Sequence, residues 1–585
     1  MWKVKRWEAW DFVWVLLIGL LLSGCQQSLA SAPAAIVMAV TEVPVLNTAT
    51  SAALIASASP TPTNTPHHTQ ATTPQPQTSH LTPTSKPTRT PEPPTFTSIR
   101  DTQIAGSAVA NSVPFVLANK ESTGIWQFDE QLFIHPIALD VHKQTAFMLD
   151  AGRVLAFDLT APSIPHVLLP LGDDVESVTV LEPLDLDVMP DGLLVLDRAG
   201  DVYFYDWIAT SWQLDRFDRP SGESSGHYSV AVAGEGNGRY LLETNYQYVR
   251  LYGDDVRNRL WPIIESRAVD IAVSDDDVFV LSQSLHDQTG ILAQYRDTAY
   301  VSTFRPAVEI VQPRQVVVGK TAVYILDTAG KRLLTLDRST GTLQTITQTP
   351  PQTSAFTIDP TTGNLLFAGG DRLYFFNQPD QQAQISGGPV IFAPLSHNPI
   401  IADSLTNFSL PIMGTKLTQR DFQMPGAPRH YRLGVHQGLD FYWRPGTAVY
   451  AIAPGKVIRA THNYEPITRN QVEQLRTENQ ELTYTSEAAL DIYRGRQVWI
   501  EHDNGIITRY IHLSAIDPSI EVGSRITQGQ KLGEVGNSGS PSSLTSRFDD
   551  SHLHFEIWVG DFYLGQFLRP IETRNWIEQL FVIGN

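Results

Sequence analysis

The sequence predicts an all-β protein: a six-bladed β-propeller-like domain followed by an antiparallel β-sheet domain that carries a helical insertion. Three observations predict it. Between positions 108 and 400, short apolar strands recur in the same order at steps of roughly forty to fifty residues, the spacing of propeller blades. Beyond position 401, alternating apolar residues, an Asn-Gly turn and a series of glycines mark tight antiparallel pairing. Inside that second region, residues 462–495 change to helical composition.

A chain of 585 residues exceeds what one core serves and divides naturally into several units. Its net charge of −19 argues against nonspecific nucleic-acid binding, so no nucleic-acid partner is expected. Residues 1–25 begin with Met1-Trp2-Lys3-Val4-Lys5-Arg6, continue with an apolar run from Phe12 to Leu22 and end on Ser23-Gly24-Cys25. A basic start, a short apolar middle and small residues before a cleavage point are the parts of a secretory signal, and the run is short for a membrane span. Leu22-Ser23-Gly24-Cys25 resembles the bacterial lipobox, which implies acylation of Cys25 and an extracytoplasmic chain anchored by lipid to the cell membrane. Cys25 is the sole cysteine, so no intrachain disulfide forms. Residues 26–107 form a Pro/Thr/Ser-rich linker that buries too little to fold and acts as a stiff stalk. Its His67, His68 and His80 are read as solvated side chains.

In the 108–400 region the unit is Ile137–Val141, Ala146–Asp150 and Arg153–Phe157, repeated at Leu184–Val188, Leu193–Asp197 and Asp201–Tyr205. Further copies start at Tyr228, Val269, Gln315 and Phe356, giving six. The aspartates that end the second strands are expected to close tight turns. No metal or cofactor spacing occurs here. The region is similar to NHL and quinoprotein-like propellers and is expected to serve recognition or spacing, with a protein or glycan as its ligand.

In the 401–585 region, Ser551-His552-Leu553-His554-Phe555-Glu556-Ile557-Trp558 has histidines at alternate positions with Leu553, Phe555 and Ile557 between them. On a strand this sends both imidazoles to one face and the apolar trio to the core. Upstream, Gly434-Val435-His436-Gln437-Gly438-Leu439-Asp440-Phe441 puts His436 and Asp440 on one face, with Gly438 leaving room for an ion to approach. Residues 497–513 form a hairpin around Asp503-Asn504-Gly505, in which Thr508, Tyr510 and His512 are expected to share a face. His462 and His502 have no motif partner and are read as structural.

His436-x-x-x-Asp440, Tyr510-Ile511-His512-Leu513 and His552-Leu553-His554, in that order, resemble the lysostaphin-type (LytM-like) zinc endopeptidases that cut peptidoglycan peptides. Gly446–Tyr450 and Ala453–Val457 fit the same pattern. The resemblance covers about residues 430–570 and implies Zn2+ held by His436, Asp440 and His554, with His512 and His552 as catalytic histidines outside the ligand set. Two nitrogens and one carboxylate leave the fourth tetrahedral position for water, the arrangement of a catalytic site. Two departures are the insertion 462–495, where the family has a short turn, and the longer loop Ser542–Asp550. Both are expected to flank the cleft. The reading is a lipid-anchored zinc endopeptidase acting on peptidoglycan stem peptides or cross-bridges. The alternative is a non-catalytic wall-binding regulator of other murein hydrolases, but such relatives usually lack ligands that are all present here.

Overall fold

The computed structural model describes residues 124–127, 135–160, 165–216, 227–253, 256–264, 266–350, 352–369, 372–376, 408–503 and 505–581. Cys25, with the expected signal segment and the expected linker and its three histidines, lies outside the described residues. Among the described residues, no helix is long and apolar enough to cross a membrane.

Among the described residues, six four-stranded antiparallel sheets, of the kind that form propeller blades, occupy the first part. The strands that open the recurring unit are β1 (Pro136–His142), β2 (Pro183–Val188), β3 (Ser229–Glu235), β4 (Arg267–Ser274), β5 (Pro313–Val318) and β6 (Thr353–Ile358). Side chains on these strands accept hydrogen bonds from the backbone of the next sheet. Asp140 accepts from Val188 N at 2.9 Å and Asp187 from Gly234 N at 2.7 Å. Glu235 accepts from Asp275 N, Asp270 from Val316 N at 2.7 Å, and Gln315 from Phe356 N at 3.0 Å. Thr357 Oγ1 then donates to Asp140 at 2.9 Å, which brings the series back to its start. The β6 sheet takes its fourth strand, Gly124–Gln127, from the other end of the region, so one sheet joins both ends of the chain segment.

The acidic residues that end second strands do more than the expected turn closure. Asp197 accepts from Ala199 N within its own turn, but it also accepts from Glu182 N at 3.1 Å, fifteen residues back. Asp150, Glu243 and Asp327 make the same backward bond to His135, Tyr228 and Gln312. Each fastens the segment that leads into its sheet, satisfying donors that burial would otherwise leave unpaired.

The second part is built on a seven-stranded sheet. Its strands are β7 (Leu439–Tyr442), β8 (Gly455–Ala460), β9 (Val498–Glu501), β10 (Ile506–Ile511), β11 (Arg525–Ile526), β12 (His552–Val559) and β13 (Phe562–Tyr563). The order is β7-β12-β10-β9-β8-β11, with β13 added to β12. β9 and β10 form the expected hairpin; its Asn504 lies outside the described residues, while Gly505 takes the left-handed conformation at φ 79°. The insertion folds as two helices, α1 (Arg469–Leu482) and α2 (Glu487–Arg494). A Thr468–Gln471 capping box starts α1, and Ser486 caps α2. Helix α3 (Pro570–Leu580) follows the sheet.

Both parts belong to one compact unit, and one apolar core runs through both, from Ile137 and Leu149 to Phe567, Leu568 and Ile577. The residues just before α3 enter the propeller-like part. Arg569 donates to Asp270 at 2.9 Å, to Asp185 at 2.5 Å and to the Ile137 carbonyl at 3.3 Å. Burial pushes the Asp185 carboxyl up to about 7 even with this guanidinium beside it. Around it, Glu572 pairs with Arg314 at 3.0 Å, Tyr563 donates to Glu182, and Arg198 donates to the Leu568 carbonyl. A buried pair contributes little net, but removing one partner strands the other. Arg569→Leu is therefore expected to cost about 3 kcal/mol or more of stability. Chemical denaturation measures this, and a loss below about 1 kcal/mol would contradict the role of Arg569.

Gly438 serves a different need from the one its position suggests. A Cβ there would lie 2.4 Å from the carbonyl oxygen of Phe555, so glycine permits the backbone of β12 to approach. Gly438→Ala is expected to push β7 off β12, with a cost of about 1–3 kcal/mol. Equal denaturation midpoints for wild type and variant would refute that reading.

Candidate metal centre

β12 is buried along its whole length and pairs on both sides, with β7 and β10. Its pleat sends Leu553, Phe555 and Ile557 into the core and His552, His554 and Glu556 to the opposite face. On β7, Asp440 stands directly across from His554 and Tyr442 across from His552. His436 reaches the same point from the segment before β7. Among the described residues, His436, Asp440 and His554 form the group able to hold a metal ion, each of them buried.

The donor chemistry fits a cation. His436 Nδ1 donates to the Met424 carbonyl at 2.9 Å, because a carbonyl can only accept, so its Nε2 carries a lone pair. His554 Nε2 donates to Glu556 at 3.0 Å, which turns Nδ1 inward. His436 Nε2 and His554 Nδ1 lie 2.8 Å apart, and each is 2.9 Å from Asp440 Oδ1. Three donor atoms thus share one point, at separations close to the roughly 3.3 Å edge of a tetrahedron with bonds near 2 Å. Burial, aided by the Arg429 charge, pushes His436 down to about 3, so this imidazole stays neutral. Burial also opposes charge on His554, but the hydrogen bonds with Asp440 and Glu556 outweigh it and raise its pKa. Burial likewise works against the Asp440 carboxylate, yet the polar groups gathered around it hold it well below the usual range. Arg429 donates to its other oxygen at 2.7 Å.

The remaining two histidines sit beside this point. His552 Nδ1 donates to the Asp550 carbonyl at 2.7 Å, and its Nε2 lies 3.7 Å from Asp440 Oδ1. Its ring stacks on Tyr442 at 4.9 Å. His512 Nδ1 donates to the Ser538 carbonyl at 2.8 Å, and its ring centroid is 4.9 Å from that of His552. Burial, with His552 and His554 close by, keeps His512 well below the ordinary imidazole pKa. The expected common face for Thr508, Tyr510 and His512 does not form. Thr508 and Tyr510 pair with Ile557 and Phe555 and point into the core. His512 follows the last residue of β10 at φ 63°, and this left-handed step breaks the alternation and turns its ring toward His552.

All five expected site residues are therefore brought together. His502 and His462 are not among them: their rings bond the carbonyls of Pro454 and Ile520, as structural histidines do. Sequence reasoning missed Glu556, Arg429 and Arg494, which hold the ligands from outside. Glu556 was legible, since it lies two residues beyond His554 on the same strand face. Arg429 and Arg494 have no local signal.

Comparison with known proteins locates this site in a family. The model of Peptidase family M23 matches residues 434–564. The peptidoglycan DD-endopeptidase ShyA of Vibrio cholerae serotype O1 is 31% identical over 128 residues, which are 22% of this chain and 21% of that protein. ShyC of the same organism, also named a peptidoglycan DD-endopeptidase, is 26% identical over 128 residues, again 22% of this chain and 21% of the relative. An uncharacterized metalloprotease of Buchnera aphidicola is 25% identical over 124 residues, 21% of this chain and 23% of its own. The chain thus matches about a fifth of the length of these relatives. Among solved structures, a streptogramin B lyase aligns with 43% of this chain and 96% of its own at 10% identity and a TM-score of 0.32. Behind its propeller-like sheets, this chain carries a peptidase family M23 domain at residues 434–564.

Proposed function

We propose that the protein is a zinc endopeptidase that hydrolyses peptide bonds of cell-wall peptidoglycan, in stem peptides or cross-bridges. The observation that carries this reading is the convergence of His436 Nε2, Asp440 Oδ1 and His554 Nδ1 on one buried point, with two further histidines alongside. Two nitrogens and one oxygen suit zinc and leave a coordination position free for chemistry. The two Vibrio relatives are named for peptidoglycan cleavage, and their likeness falls on this region.

In this reading His436, Asp440 and His554 hold the ion. Bound zinc would polarise the scissile carbonyl and acidify the attacking water. His512 and His552 have one nitrogen fastened to a carbonyl and the other left as a base. They take the proton of the attacking water, return it to the departing amine and steady the oxyanion. The Ser538 and Asp550 carbonyls fix both tautomers before substrate arrives.

The lipid anchor belongs to the same proposal, on sequence grounds: Cys25 after Leu22-Ser23-Gly24 would hold the enzyme on the outer face of the cell membrane. A protein or glycan partner of the propeller-like part belongs to the same reading.

His554→Ala leaves two protein ligands and is expected to lose both bound zinc and activity. His512→Ala and His552→Ala are expected to keep about one zinc per chain while turnover falls about a hundredfold or more. Metal analysis of the purified variants, with release of new amines from peptidoglycan, measures both. Zinc loss in His512→Ala equal to that in His554→Ala would refute the division of roles. For the anchor, Cys25→Ser should leave the membrane fraction or remain unprocessed. Unchanged processing and membrane retention of that variant would exclude lipidation.

A further inference from the structure

The inserted helices end on a residue that reaches the metal centre. Arg494, in the last turn of α2, is buried, and its three donors go to three places. Nε donates to Glu556 Oε1 at 3.1 Å, Nη2 to Gln437 Oε1 at 2.6 Å and Nη1 to Glu487 Oε2 at 3.2 Å. Glu556 Oε1 is the oxygen that receives His554 Nε2 at 3.0 Å, while Oε2 accepts from Arg509 at 3.1 Å and from Trp558 at 2.6 Å. Gln437 is the neighbour of His436. The Arg494 carbonyl also receives His512 N at 3.2 Å. Next to it, Gly495 lies so close to the 538–539 backbone that a Cβ there would sit 2.3 Å from Ser538 O, the carbonyl that orients His512.

We propose that Arg494 is a positioning residue for the metal centre: it fixes the Glu556 carboxylate, which holds the His554 ring with Nδ1 turned toward the ion. The insertion is then a brace for the site. Burial supplies the reason. Glu556 is 1% exposed, so its orientation is set by its donors and not by water. Arg494 and His554 share one oxygen, and loss of the guanidinium frees that oxygen to swing toward Arg509. A planar guanidinium reaches three acceptors at fixed angles, which a lysine ammonium on a flexible stem does not reproduce. Partners of this kind typically tune metal affinity by about 10–100-fold.

The inference rests on the zinc reading above, and the test separates the two. Zinc affinity is measured by competition with a chromophoric chelator, and the visible spectrum of the cobalt-loaded protein reports ligand geometry. Arg494→Met is expected to weaken zinc binding about tenfold or more and to alter the cobalt spectrum. Arg494→Lys should fall between it and wild type, and it stands in if Arg494→Met does not fold. The control is Asp491→Asn on the same helix, which removes the charge and one oxygen of the pairing with Arg459 at 2.7 and 2.9 Å without touching Glu556. It should keep wild-type zinc affinity. Adding Arg494→Met to Glu556→Gln should cause no further loss, because both act through one carboxylate. Wild-type affinity in Arg494→Met, equal weakening in Asp491→Asn, or multiplying effects in the double variant would overturn the proposal. Wild-type protein that binds no zinc would overturn the zinc reading instead.

Discussion

The site depends on the pleat of one buried strand. β12 has neighbours on both edges and is buried on both faces, so its side chains cannot change sides without dismantling the sheet. The period of two that buries Leu553, Phe555 and Ile557 is the same period that lines up His552, His554 and Glu556. Core packing and site geometry are thus one constraint. A slip of one residue would put imidazoles and a carboxylate into the apolar core and leave the metal centre without ligands.

Each imidazole of the site is held from behind by an acceptor. The carbonyls of Met424, Ser538 and Asp550 and the carboxylate of Glu556 each take one ring N–H. The other nitrogen of each ring is thereby assigned without help from substrate. Three of these four acceptors belong to loops or to segments outside the seven-stranded sheet, and Glu556 is itself held by the insertion. Irregular segments therefore supply orientation, while the strands supply position.

The propeller-like part also reaches the site through packing. Asp421 is held between Arg267 of β4, Arg574 of α3 and Thr244, and three residues later Met424 offers its carbonyl to His436. Phe422, beside Asp421, lies under the Arg429 guanidinium that bonds Asp440. The segment that supports two of the ligands is thus fastened to the propeller-like sheets. Together with Arg569 in its ring of buried carboxylates, this gives those sheets a structural share in the peptidase domain.

Much of this was readable from residue order alone. The recurring strands gave the sheets, the alternation in 552–558 gave the strand and its two faces, and the composition of 462–495 gave the helical character of the insertion. Those features are local, because hydrophobic period and capping act over a few residues. The sequence singled out the candidate groups: His436, Asp440, His512, His552 and His554. Only the tertiary structure decided how they meet. His512 reaches the site because a left-handed residue breaks the strand, Gly438 is required by the backbone of β12, and Arg494 bonds a carboxylate sixty-two positions away. Contacts across such separations leave no periodic trace in the chain, since they are set by the packing of whole elements and by the need of each buried polar group for a partner.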